Sequence, residues 1–154
     1  MTPILKSYLA THGIAHEFIT KTHTIHTADA AEATGIPLEQ ITKSLACLGS
    51  DGKAYVAIIP GTCKIDFKAV AREFALKSVR LAPFEQAHQF TGYPPGATPP
   101  LAYAKITGVV VDQALQRFEW IYGGGGTNEQ LMKIRTADVI AANHALVASI
   151  TLAG

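Results

Sequence analysis

The chain has 154 residues, of which 48% are hydrophobic and 16% charged, against about 25% charged in an average soluble domain. That length fits one domain spanning residues 1–154, with enough chain to bury roughly 70% of its unfolded surface. Thirteen Lys and Arg against twelve Asp and Glu give a net charge of +1, which excludes a broad, strongly basic nucleic-acid binder but not a protein that touches a nucleic acid locally.

Thr2 and Pro3 read as N-cap and first position of a helix whose apolar face is Ile4, Leu5, Tyr8 and Leu9, with Gly13 as its left-handed stop. Residues 14–20 suit a short strand. Thr27 can cap an alanine-rich helix ending at Gly35, and Pro37 opens a single turn. A strand over 42–48, a Ser50-Asp51-Gly52 turn and an apolar run from Ala54 to Ile59 form a hairpin. Asp66 caps a helix with Phe67, Val70, Ala71 and Phe74 on one face, beside a basic ridge of Lys64, Lys68 and Arg72, with Lys77 and Arg80 just beyond. A strand over 78–82 and a helix from Pro83 to Phe90 lead to TGYPPGATPP, residues 91–100, which can be neither helix nor central strand. Strands are expected over 106–111, 118–122 and 129–134, with the run Gly123 to Gly126 between the last two. Thr136 caps a final helix before a strand over 145–151. This irregular mixture predicts an α+β domain with a mixed or antiparallel sheet.

Residues 86–104 are uncharged but hold four prolines, and residues 139–154 are too short to span a bilayer, so no membrane association is expected. The opening MTPILKSYLATHG has neither a basic region ahead of an apolar one nor a small-residue cleavage pattern, so the expected location is the cytoplasm. Cys47 and Cys63 lack metal or redox spacing and read as reduced thiols. His12, His16, His23 and His26 have no carboxylate or Cys partner in the pattern, so no metal is expected. There is no nucleophile elbow, phosphate-binding loop or zinc-protease motif.

Three features point to chemistry. Lys43 opens the strand TKSLACL beside small hydroxylated residues. The segment Gly92 to Pro100 combines entropy-removing prolines with glycines that allow close backbone approach. The tetraglycine after Ile121-Tyr122 is costly unless such approach is needed there.

Taken in order, the Thr-Pro helix, Gly35-Ile36, Lys43-Ser44-Leu45, Thr91-Gly92-Tyr93, the Gly-x-x-x-Pro of Gly96 to Pro100 and the Tyr122 glycine segment resemble the YbaK and prolyl-tRNA synthetase-associated editing-domain family. Departures occur at Ala97 and Pro99, and at Ala102, where a glycine is common in relatives. The resemblance implies a barrel-like, largely antiparallel core with surrounding helices. It further implies hydrolysis of the ester of a mischarged tRNA, most often Cys-tRNA(Pro) or Ala-tRNA(Pro), with prolyl-tRNA synthetase as a candidate partner and no cofactor. Lys43 and Gly96 carry the catalytic roles. Ser44, Gly92, Tyr93, Ala97, Pro100, Gly125, Gly126 and Thr127 are carried over as substrate-binding, and the ridge Lys64, Lys68 and Arg72 as a tRNA contact. Neither loop supplies Asp, Glu or His, so the expected mechanism is substrate-assisted, with loop N–H groups on the oxyanion. Serine or threonine esters, a noncatalytic tRNA- or synthetase-binding module and a small-molecule hydrolase remain open alternatives.

Overall fold

The computed structural model describes residues 3–24, 26–94 and 96–152; the cap expected at Thr2 lies outside them. In chain order the elements are α1 (Pro3–Thr11), β1 (His16–Thr20), α2 (Thr27–Thr34), β2 (Thr42–Gly49), β3 (Ala54–Pro60), α3 (Phe67–Glu73), β4 (Val79–Leu81), α4 (Phe84–Thr91), β5 (Gly108–Asp112), β6 (Trp120–Gly124), β7 (Gln130–Arg135), α5 (Thr136–Asn143) and β8 (Leu146–Ala148). Short 3-10 turns at Leu38–Gln40 and Gln113–Arg117 precede β2 and β6.

The strands form two sheets. One is antiparallel, in the order β1-β7-β6; the other is mixed, in the order β4-β2-β3-β5-β8, with β5 parallel to both β3 and β8. The expected α+β mixture is present, but the barrel-like core is not. The described residues form no closed barrel, because the two sheets share only an isolated rung between Ile41 and Tyr122, reinforced by Thr42 Oγ1 donating to Tyr122 O at 3.2 Å.

The central strand β3 explains its own apolar run. Val56 and Ile58 face the space between the sheets, where Leu5, Leu9, Val109, Val111, Ile121, Met132 and Ile134 meet them. Tyr55, Ala57 and Ile59 face the other way, onto Val70, Ala71 and Ile150 beneath α3. A strand covered on both faces needs no polar alternation. A third, smaller cluster of Ala30, Ile41 and Leu131 seats α2 across the outer face of β7.

Local signals act largely as the sequence implies. Asp66 Oδ1 accepts from the N–H groups of Lys68 and Ala69 at 3.1 and 3.2 Å, the bond pattern of an N-cap. Two expected caps fail, because Thr27 and Thr136 are already the first helical residues. Thr136 instead donates to Phe118 O at 2.7 Å, stapling α5 to the chain before β6. The last strand is shorter than expected because Ile150 N donates to Asp112 Oδ1 at 2.9 Å, and only a bridge from Thr151 to Ile65 continues the sheet.

Candidate active site

A wide opening lies where strand pairing is incomplete. The ladder between β2 and β4 covers only Cys47 to Gly49, extended by Ala82 N donating to Ala46 O at 2.9 Å. Ahead of it, Lys43, Ser44 and Leu45 line a cleft of about 610 Å³. Gly96 and Thr98 form another part of its wall, and Lys21, His26, Leu81, Phe84 and Gly124 contribute to the rest. A smaller chamber of about 230 Å³ adjoins it, sharing Ser44, Leu45, Leu81, Phe84, Gly96 and Thr98 and extending to Ala46, Ala82, Ala87, Thr91 and Tyr93.

The proline-rich segment is an ordered wall. Gly92 ends α4 in the left-handed conformation at φ 89°, donating to His88 O, and Thr91 Oγ1 accepts from Tyr93 N at 3.2 Å. Tyr93 is buried and donates its phenol proton to Ala102 O at 2.7 Å. Tyr103 OH holds Pro99 O at 2.7 Å, and Asn143 Nδ2 holds Pro100 O at 2.8 Å. Gly96 is exposed at φ 82°, whereas Ala97 is fully buried and its N–H is given to Pro94 O at 3.0 Å. Ala102 sits at φ 68°, a strained conformation for a residue with a Cβ and the reason a glycine suits that position.

The glycine run supports this wall from behind. Gly123 and Gly124 belong to β6 rather than to a loop between strands. A Cβ on Gly124 would overlap Thr98 O and the Ala97 carbonyl, and one on Gly123 would come within 2.7 Å of Pro100 Cδ. Gly126, at φ 89°, donates its N–H to Ala97 O at 3.0 Å. Two glycine-bearing segments distant in sequence thus meet backbone to backbone, which any side chain would prevent. Gly124 lines the cleft, whereas Gly125, Gly126 and Thr127 are outside its lining.

The polar groups differ in how they are used. Lys43 Nζ donates to Cys63 O at 3.2 Å, its one hydrogen bond among the described residues. Lys21 Nζ donates to Thr24 Oγ1, to Asn128 O and, at 3.5 Å, to Thr22 O; burial lowers its pKa and Glu129 opposes the shift. Ser44 Oγ is buried with no hydrogen bond of acceptable geometry, although the Tyr103 phenol is close enough to interact with it electrostatically. Burial pushes that phenol far above the ordinary tyrosine range, and its proton is already given to Pro99 O. Cys47 is pushed up to about 12 by burial, so it is no nucleophile near neutral pH.

Lys43, Ser44 and Gly96 therefore meet at one cleft, Tyr93 lines the chamber, and Gly92 and Pro100 hold the wall in place. Lys64, Lys68 and Arg72 are exposed and outside the cleft lining, but the ridge begins one residue after the carbonyl that Lys43 holds. Sequence reasoning missed Leu81 and Phe84 as cleft residues. The available signal was Phe84 itself, a lone aromatic opening a helix that continues Glu85, Gln86. The histidines are dispersed: His12 stacks on Tyr8 at 4.1 Å, His16 bonds Ile14 O, and His26 lines the cleft.

The aminoacyl-tRNA editing domain model matches residues 21–142. An uncharacterized Bacillus subtilis protein, YwhH, is 30% identical over 118 residues, covering 77% of this chain and 73% of its own. The provisionally named Cys-tRNA(Pro)/Cys-tRNA(Cys) deacylase EbsC of Enterococcus faecalis is 24% identical over 136 residues, covering 88% and 83%. The crystal structure of a proposed trans-editing enzyme for prolyl-tRNA synthetase superposes with a TM-score of 0.87 at 25% identity, covering 99% of each chain.

Proposed function

The chain belongs to the aminoacyl-tRNA editing domain family, and from that premise we propose that residues 1–154 act as one trans-editing deacylase, hydrolysing the ester of mischarged tRNA in the cytoplasm. Cys-tRNA(Pro) or Ala-tRNA(Pro) is the preferred substrate. The observation that carries this reading is the convergence of Lys43 and Gly96 on one cleft beside an apolar chamber of about 230 Å³.

The chamber has the size and lining for a small aminoacyl side chain. Ala46, Ala82 and Ala87 give it an apolar surface. Such a site complements synthetase selection, because a binding pocket alone separates side chains differing by a methylene only about 10- to 200-fold.

Lys43 holds the substrate. Its ammonium has donors beyond the one given to Cys63 O, and these meet a phosphate or carbonyl oxygen of the aminoacylated end. Water adds to the ester carbonyl, the oxyanion is stabilised by backbone N–H donors of the Gly96 loop, and the ribose oxygen leaves as the bond to the acyl carbon breaks. The Ala97 N–H is committed to Pro94 O, so the oxyanion donor belongs to a neighbouring residue of the loop, with Gly96 the exposed one. Among the described residues the cleft lining contains no carboxylate, so the substrate supplies the activating group: its neighbouring ribose hydroxyl for alanyl esters, its thiol for cysteinyl esters. Prolyl-tRNA synthetase is the expected source of the mischarged product.

Incubation with a panel of aminoacylated tRNAs tests the reading. Release of cysteine or alanine from tRNA(Pro) is expected. Binding without release from any ester would leave a tRNA-binding module, and tRNA-independent cleavage of simple amino-acid esters a small-molecule hydrolase.

A further inference from the structure

Phe84 is 72% exposed, the most exposed of the large hydrophobic side chains among the described residues, and Leu81 beside it is 52% exposed. Both line the main cleft and the smaller chamber, so they stand where the two spaces meet. Core packing does not explain Phe84. It opens α4, where Glu85 and Gln86 are also exposed and no core cluster includes its ring.

We propose that Phe84, flanked by Leu81, is a stacking platform for the terminal adenine of the aminoacyl-tRNA. The inference rests on the deacylase reading and adds a recognition residue to it. Its chemistry follows from the substrate's covalent structure. The ester and the terminal base are carried by one ribose, so an ester held between Lys43, Ser44 and Gly96 leaves the base within a sugar's breadth of them. The 3′ end of a tRNA is single-stranded, and an unpaired base offers two apolar faces that stack on aromatic side chains. Among the described residues no carboxylate lines either space to repel the adjoining phosphate. Leu81 widens the apolar surface, and Pro83 restricts the backbone immediately before the ring.

The test uses the full chain and RNA microhelices copying the acceptor stem. In the first arm, aminoacylated microhelices end in adenosine or in an abasic ribose. The parent is expected to show a KM about tenfold lower for the adenosine end, in the range of one base–aromatic stack. Phe84→Ala should bring that ratio close to one with kcat little changed, and Phe84→Trp should restore it. An unchanged ratio in Phe84→Ala overturns the platform. Leu152→Ala, at a residue of 53% exposure outside both linings, should leave the ratio at the parent value.

The second arm does not depend on catalysis. A microhelix ending in 2-aminopurine, with the amino acid joined through a nonhydrolysable amide, should be quenched on binding the parent and recover fluorescence with Phe84→Ala. Quenching in the absence of any ester hydrolysis would sink the deacylase reading while retaining the platform. Deacylation of the ester microhelix by a parent chain that shows no quenching would sink the platform alone.

Discussion

Two lysines line one cleft and are used in opposite ways. Lys21 leaves the end of the three-stranded sheet with its ammonium protons divided among Thr24 Oγ1, Asn128 O and Thr22 O. Lys43 leaves the five-stranded sheet with only Cys63 O as a partner among the described residues. An ammonium has three donors, so the first is a brace between β1 and the turn after the glycine run, and the second keeps donors for a ligand. Charge in a cleft is thus a poor guide to function unless the hydrogen bonds already made are counted.

Replacing each lysine should separate the two roles. Lys43→Ala should lower deacylation at least a hundredfold while the thermal transition stays near the parent value; parent-rate cleavage would remove its central role. Gly124→Ala should cost about 1–3 kcal/mol in chemical denaturation, because its methyl would strike the Ala97–Thr98 backbone and push the wall out of place. Lys21→Met should cost about 1–2 kcal/mol by leaving Asn128 O and Thr24 Oγ1 unmatched, with a smaller effect on rate than Lys43→Ala.

The brace also has a pH signature. Burial lowers the Lys21 pKa, so the folded chain releases this proton at lower pH than the unfolded chain does. Stability then gains a contribution as pH rises between the two values, and Lys21→Met should flatten that slope in urea titrations. The smallest expected effect comes from neutralising Lys64, Lys68 and Arg72 to Gln, which should weaken tRNA binding a fewfold and reduce its salt dependence. An unchanged salt slope would identify the ridge as solvated surface.

What the sequence disclosed depended on how local each signal was. The hairpin of β2 and β3, the Asp66 cap and the stops at Gly13 and Gly35 are decided by neighbours in the chain, and they form as expected. Thr27 and Thr136 carry the same local signal as a cap, but Thr136 is claimed by Phe118 O, a partner the local pattern does not show. The glycine run was recognised as a place of close approach, yet Gly123 and Gly124 proved to be strand residues because what approaches them is Pro100 and the Ala97–Thr98 backbone. Lys43 stood out at the opening of an apolar strand beside small hydroxylated residues, and the family resemblance gave it and Gly96 their roles. Leu81 and Phe84 escaped notice because an exposed leucine and an exposed phenylalanine look ordinary until the cleft around them is seen.

The single rung between Ile41 and Tyr122 has a mechanical consequence. Two sheets that share one rung are held to each other by side chains rather than by a ladder, with Val56, Ile58, Val109 and Val111 of one packed against Ile121, Met132 and Ile134 of the other. Lys43 lies just beyond that rung in β2, whereas Phe84 hangs from α4 at the outer margin. Both are nevertheless carried by the five-stranded sheet, Lys43 on β2 and Phe84 just after its neighbour β4, so the β2–β4 ladder sets the spacing between the group that holds the reacting end and the ring at the rim.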